Sequence, residues 1–195
     1  MKYVKKITDL PCFDLESTLK SLYSKNRLDL SQNKQICLNS TKPDSDDVLE
    51  GTGSLVKDWS RAEMIIDSDG NDKFVVPERK VKLKETDFKF LCTQFQNTEF
   101  EILYNLLNEK YTLGRVRLMI LKPHSCLSWH YDFSHRLHYP IKTQKGCFMN
   151  INGEVIEMKR YNWYLADTTV EHTAVNASNE DRIHLVATIE NFNEM

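Results

Sequence analysis

His130-Tyr131-Asp132 and the distant His172 are a candidate ligand set for a metal ion. Two neutral imidazoles and one carboxylate make a facial triad that suits Fe(II) and leaves three positions open for a co-substrate and oxygen. All six histidines of the chain fall between His124 and His184. Ten residues after His172 stands Arg182, which opens the otherwise apolar run RIHLVATI. An arginine there wants its charge paired, and its planar fork matches the far carboxylate of a dicarboxylate co-substrate. Taken alone, Arg182 reads equally as a surface charge at a strand start. An H-x-D pair is also common by chance. The weight rests on order, strand context and the trailing arginine together.

Such a site needs strands to hold it. On a strand, residues i and i+2 share a face, so His130 and Asp132 can reach one metal while Tyr131 points away. From Arg115 to Leu121, Val116, Leu118 and Ile120 alternate with Arg117, Met119 and Leu121, which predicts a strand. Asn152-Gly153 sits between two strand-like runs from Cys147 to Met158, a two-residue hairpin signal. Trp163 to Ala166 and Arg182 to Ile189 add two more strands. Asp167-Thr168-Thr169 reads as a turn that presents His172 at a strand end. The expected fold is mainly β with flanking helices (α+β), a double-stranded β-helix or cupin-like jelly roll.

The first half reads as support. Asp14 is a candidate N-cap for an amphipathic helix carrying Leu15, Leu19, Leu22 and Tyr23. Residues 41–72, rich in Ser, Asp and Gly, read as long surface loops around a short element at Met64-Ile65-Ile66. Thr98 and Glu101 form a capping-box pattern ahead of the stripe Phe100, Leu103, Tyr104 and Leu107. The organisation expected is one domain over 1–195, with supporting helices and loops in 1–110 and the β-helix core in 111–192.

The stretch Gly114-Arg115-Val116-Arg117 through Trp129-His130-Tyr131-Asp132, then Arg136-Leu137-His138, Lys145-Gly146-Cys147, Trp163, Asp167-Thr168, His172, Val175-Asn176 and Arg182 resembles the aspartyl/asparaginyl β-hydroxylase family. The resemblance covers roughly residues 100 to 190. It implies an Fe(II)- and 2-oxoglutarate-dependent dioxygenase that hydroxylates an amino-acid side chain, with O2 consumed and succinate and CO2 as co-products. It makes His130, Asp132 and His172 the iron ligands and Arg182 the anchor of the distal 2-oxoglutarate carboxylate. Arg136 and His138 match a family Arg-x-His that lines the co-substrate pocket, though an edge-strand pair facing solvent would look the same. Animal members carry glycine where this chain has Asp132. The substrate therefore stays open among free, peptidyl and protein-borne Asp-, Asn- or Pro-like side chains.

Other residues of interest have plainer roles. His124 and His135 read as solvated turn residues, and His184 as a partner behind the site or a wall histidine. Trp129, Tyr131, Trp163 and Tyr164 read mostly as core, with Tyr131 or Trp163 the ones that could face substrate, and Cys126 and Cys147 as small apolar fillers.

Bulk properties narrow the classes. With 41% apolar and 28% charged residues in 195, the chain is of ordinary globular composition. A net charge of −2 offers no basic field for phosphate backbones, so nucleic acid is not expected as a main partner. No apolar run reaches membrane-spanning length, and MKYVKKITDLPCFDLE lacks a signal-peptide core, so no membrane partner is expected. Five scattered cysteines without C-x-x-C fit reduced thiols in the cytoplasm. Three rivals remain at this stage: a cupin-type metal enzyme that does not use 2-oxoglutarate, a jelly roll that only binds a ligand, and, weakest of the three, nucleic-acid dealkylation by the same oxidant.

Overall fold

The computed structural model describes residues 2–190 other than 26, 30 and 32. In chain order the elements are β1 (Val4–Ile7), α1 (Leu15–Ser24), β2 (Gln35–Cys37), β3 (Asn39–Ser40), β4 (Glu63–Ile66), β5 (Asp72–Val75), β6 (Phe90–Leu91) and α2 (Glu99–Lys110). The second half holds β7 (Leu113–Leu121), β8 (Ser125–Cys126), β9 (His135–Lys142), β10 (Cys147–Ile151), β11 (Glu154–Ile156), β12 (Trp163–Ala166), β13 (His172–Asn176) and β14 (Arg182–Ile189).

The larger sheet runs β1-β12-β9-β14-β7-β2 and the smaller runs β11-β10-β13-β8. From β7 onward the chain passes back and forth between the two sheets, and every pairing within them is antiparallel. That winding is the double-stranded β-helix, as expected. The N-terminal segment does more than support: β2 pairs with β7 and β1 with β12, one at each edge of the larger sheet. Residues 41–72 are loops as read, except that β4 pairs with β5 in an exposed hairpin.

Period-two alternation gives the larger sheet two different faces. Val116, Leu118, Ile120, Leu137, Tyr139, Leu185 and Ala187 meet the helices in the main core. Leu15, Leu19 and Leu22 of α1 are buried, with Phe100, Leu103, Tyr104 and Leu107 of α2. Each such side chain contributes about 1.5–3 kcal/mol of apolar burial. Asp14 caps α1 through the Ser17 amide, but Tyr23 faces solvent, off the expected stripe. Thr98 caps α2 by accepting from the Phe100 amide at 3.2 Å. The expected capping box is not closed, because Glu101 accepts from the Asn97 amide at 2.6 Å instead. Asn152 and Gly153 take φ of 48° and 84°, the pair of left-handed residues that a type I′ hairpin between β10 and β11 requires.

The opposite face of the larger sheet looks toward the smaller sheet. Part of that interior is apolar, with Met149, Ile151, Ile156, Tyr164, Ala166 and Ala174 packed together. The remainder is lined with charge. Among the described residues no helix is long and apolar enough to cross a membrane.

Candidate metal centre and its cavity

His130, Asp132 and His172 come together, each offering one ligand atom within 4.8 Å of the others. His172 opens β13, but His130 and Asp132 lie in an irregular segment beyond β8 and not in the regular strand expected. Strand-like pairing persists locally. The backbones of His130 and His172 exchange two hydrogen bonds, of 3.1 and 3.0 Å, and the Asp132 amide donates to the Thr168 carbonyl at 2.8 Å. Alternation therefore survives, and Tyr131 turns outward at 65% exposure.

Hydrogen bonds fix how the rings present themselves. His130 Nδ1 lies 2.7 Å from the Ser128 carbonyl oxygen, and His172 Nδ1 lies 2.9 Å from that of Val170. A carbonyl only accepts, so both Nδ1 atoms carry the proton and both Nε2 lone pairs are left for a metal. Burial holds His172 below the ordinary histidine value of 6.5, in the neutral form a ligand needs. Asp132 Oδ2 sits 3.1 Å from Arg136 Nε and 3.7 Å from His172 Nε2. Two imidazole nitrogens and one oriented carboxylate fit a single first-row divalent cation, Fe(II) included.

The cluster opens into a cavity of about 640 Å³. Its wall is the charged face of the larger sheet, where Arg117 of β7, Val186 of β14 and His138 of β9 stand side by side in register. Arg115 and Arg136 are buried with a carboxylate each. Arg115 grips Glu85 through Nη2–Oε1 at 2.7 Å and Nε–Oε2 at 3.0 Å. Burial pushes the Glu85 carboxyl up, but hydrogen bonds and charge from Arg115, with Arg136 behind it, outweigh burial and hold it down to about 2.

Arg182 is different. It is buried, forms no ion pair among the described residues, and donates from Nη2 to His184 Nδ1 at 3.1 Å. Burial lowers its guanidinium to about 10, still charged near neutrality. His138 is buried with neither ring nitrogen hydrogen-bonded, and burial followed by the Arg182 charge keeps it well below 6.5. A buried imidazole without partners and a buried guanidinium without an anion leave room for a polar, anionic occupant.

Arg182, Arg136 and His138 thus share this cavity with the three ligand candidates. Arg136 and His138 do share a strand face, but β9 lies inside the sheet and not at its edge. Several other expectations are corrected. Trp129 is 53% exposed and, like Tyr131, is not core; Trp163 and Tyr164 are. Cys147 is buried as a filler, whereas Cys126 is exposed. His124 is exposed in its turn, but His135 is half-buried at the start of β9, 3.7 Å from Asp167. His184 is a buried wall residue holding Arg182.

Glu85 and Gln35 were not singled out by sequence, and Arg115 and Arg117 stood only within the stretch that carries the family resemblance, with no role assigned. For the two arginines a signal existed: they sit two apart on one strand face, alternating with Gly114, Val116 and Leu118.

Comparison with known families matches residues 32–191 to the aspartyl/asparaginyl beta-hydroxylase family. The chain belongs to that family. The match takes in the β-helix core together with β2, β3 and the loops ahead of α2. No curated protein matches the sequence. Among solved structures, AviO1 from Streptomyces viridochromogenes Tue57 is 12% identical with a TM-score of 0.48, covering 99% of this chain and 91% of its own. An oxidoreductase of the 2OG-Fe(II) oxygenase family from Burkholderia pseudomallei is 12% identical with a TM-score of 0.41, over 66% of this chain and 71% of its own. A cupin domain from Bordetella pertussis Tohama I is 18% identical with a TM-score of 0.35, over 40% and 81%.

Proposed function

We propose that this β-hydroxylase family member is an Fe(II)- and 2-oxoglutarate-dependent dioxygenase that hydroxylates an amino-acid side chain, free or within a peptide or protein. The observation that carries the reading is the His130–Asp132–His172 cluster, with both Nε2 atoms turned inward, opening onto a cavity that holds a buried arginine without an anion.

His130, Asp132 and His172 would hold the iron. When bound, iron and 2-oxoglutarate supply an oxidation in which one oxygen atom of O2 enters succinate as CO2 leaves and the other enters a substrate C–H bond as hydroxyl. The chain's own work is orientation. Arg182 pairs with the distal carboxylate of the oxoacid, an interaction stronger than a neutral hydrogen bond because both partners are charged. Arg136 holds Asp132 in place through Nε while Thr188 Oγ1 takes Nη1 at 2.8 Å, so its fork cannot swing away. His138, kept neutral by burial, offers one N–H donor to the bound oxoacid.

The test is conversion of labelled 2-oxoglutarate to succinate by the iron-loaded protein. His172→Ala and Asp132→Ala should bring it to background. Arg182→Met should raise the KM for 2-oxoglutarate roughly 10- to 100-fold, the range expected for losing a hydrogen bond to a charged group. Turnover that persists without 2-oxoglutarate would instead favour a metal-dependent cupin enzyme of another class.

A further inference from the structure

Arg117 is the charge that the proposed reaction leaves over. It is 7% exposed, in the middle of β7, and it lines the same cavity as the three ligand candidates. Its Nε is buried without a hydrogen-bond partner. Its Nη1 reaches Gln35 Oε1 at 3.3 Å, an oxygen already accepting from the Gly53 amide at 3.0 Å. No carboxylate pairs with it among the described residues: Glu85 is gripped by Arg115, and Asp132 by Arg136.

Burial above all makes this charge costly; Arg115 and Arg136 repel it, and Glu85 offsets less than either of them does. The Cys37 thiol beside it is neutral, since burial pushes that thiol up to about 11. A guanidinium does not shed its proton near neutrality, so it stays buried and charged until an anion arrives. The proposed ligands do not supply that anion. Of the two carboxylates of 2-oxoglutarate, Arg182 takes the distal one, and the other, together with Asp132, would offset the two charges of Fe(II). Val186 stands beside Arg117 across the sheet and Met119 follows two residues on along the same strand, and both line the cavity with Leu55 and Val56. A buried guanidinium with a free Nε, in a cavity that also offers apolar side chains, suits a carboxylate with a hydrocarbon stem.

We infer that Arg117, steadied by Gln35, anchors a carboxylate of the primary substrate. The substrate thus enters as an acid, either through the α-carboxylate of a free amino acid or through an acidic side chain of a peptide. This rests on the function proposed above, because it assigns Arg182 and not Arg117 to the co-substrate.

The test uses thermal melting of the full chain loaded with Mn(II) and saturating 2-oxoglutarate at constant ionic strength. Acetate is the probe, and acetamide is its neutral counterpart. Acetate should raise the Tm saturably by roughly 3–5 °C and acetamide should not. L-Alanine then offers only an α-carboxylate and N-acetyl-aspartic acid amide only a side-chain carboxylate. Whichever stabilises more strongly names the source.

Arg117→Gln should abolish the carboxylate effect, and Arg117→Lys should keep part of it. Without ligands Arg117→Gln should melt no lower than the wild type, because it removes an uncompensated buried charge. Equal stabilisation by acetate and acetamide, or an acetate effect unchanged in Arg117→Gln, would overturn the inference. So would a ligand-free melt lower by more than about 5 °C, which marks a structural ion. If Arg117→Gln removes stabilisation by 2-oxoglutarate and leaves that by acetate, Arg117 belongs to the co-substrate and the inference also fails. Failure of the functional proposal looks different. There 2-oxoglutarate gives no stabilisation in the wild type, or one that Arg182→Gln leaves intact, while the acetate titration of metal-free protein still reads Arg117.

Discussion

Arg136 shows how much of the candidate centre depends on a residue outside the His130–Asp132–His172 cluster. Its Nε fixes one oxygen of Asp132 and its Nη1 is tied to Thr188, so the carboxylate arrives oriented. Arg136→Met should therefore lower Mn(II) affinity 10- to 100-fold in calorimetric titration, the usual effect of losing a partner that orients a ligand. Arg136→Lys should rescue little, because an ammonium cannot serve Asp132 and Thr188 in the same planar geometry. Affinity within threefold of wild type in Arg136→Met would show that Asp132 is placed by its backbone alone. The triad residues were legible in sequence because i, i+2 spacing has meaning on any extended chain, even one that is not a regular strand. Arg117 was not, because a charged residue on a strand reads first as surface. Only the second sheet, folded over that face, makes it a buried charge.

At the scale of elements, β7 is the strand on which the wall depends. It lies between β14 and β2, and its amides and side chains tie the N-terminal loops to the cavity. Buried Asn39 donates to the Phe88 and Gly114 carbonyls and accepts from the Val116 amide, at 2.8–2.9 Å. Gly114 leaves the space that Glu85 occupies: a Cβ there would come within 2.6 Å of Glu85 Cβ and 3.0 Å of Thr188 Cβ. Gly114→Ala should push Glu85 off Arg115 and destabilise the fold by about 1–3 kcal/mol, read by denaturant unfolding. A variant as stable as wild type would show that the segment around Glu85 moves without strain. Helices α1 and α2 and the Asn152-Gly153 turn were legible because caps, apolar stripes and left-handed residues are local signals. Strands β1 and β2 were not. VKKI and QIC are too short to show a period, and only the edges of the sheet made by the rest of the chain give them a structure.

For the whole molecule, the two sheets enclose three histidines whose folded state prefers the neutral form: His138, His172 and His184, all chiefly through burial. Their folded values lie below the ordinary 6.5, so below about pH 6.5 the unfolded chain binds protons that the folded chain refuses. Stability is fully present above that pH and is lost as pH falls toward the folded values. The Tm of metal-free protein should be flat above about pH 7 and fall steadily from pH 6.5 to 5.5. Glu85 adds a loss of the same sign only at more acid pH, because its folded value is about 2. An unchanged Tm across pH 7.5–5.5 would mean that the histidines titrate freely in the folded state. Whether this enclosure holds iron and an oxoacid together is read by anaerobic titration of the purified protein with Fe(II) and then 2-oxoglutarate. A visible charge-transfer band from the chelated oxoacid should appear, be absent in His172→Ala and be weakened in Arg182→Met. Iron binding without that band, or no iron binding at all, would contradict the proposed function.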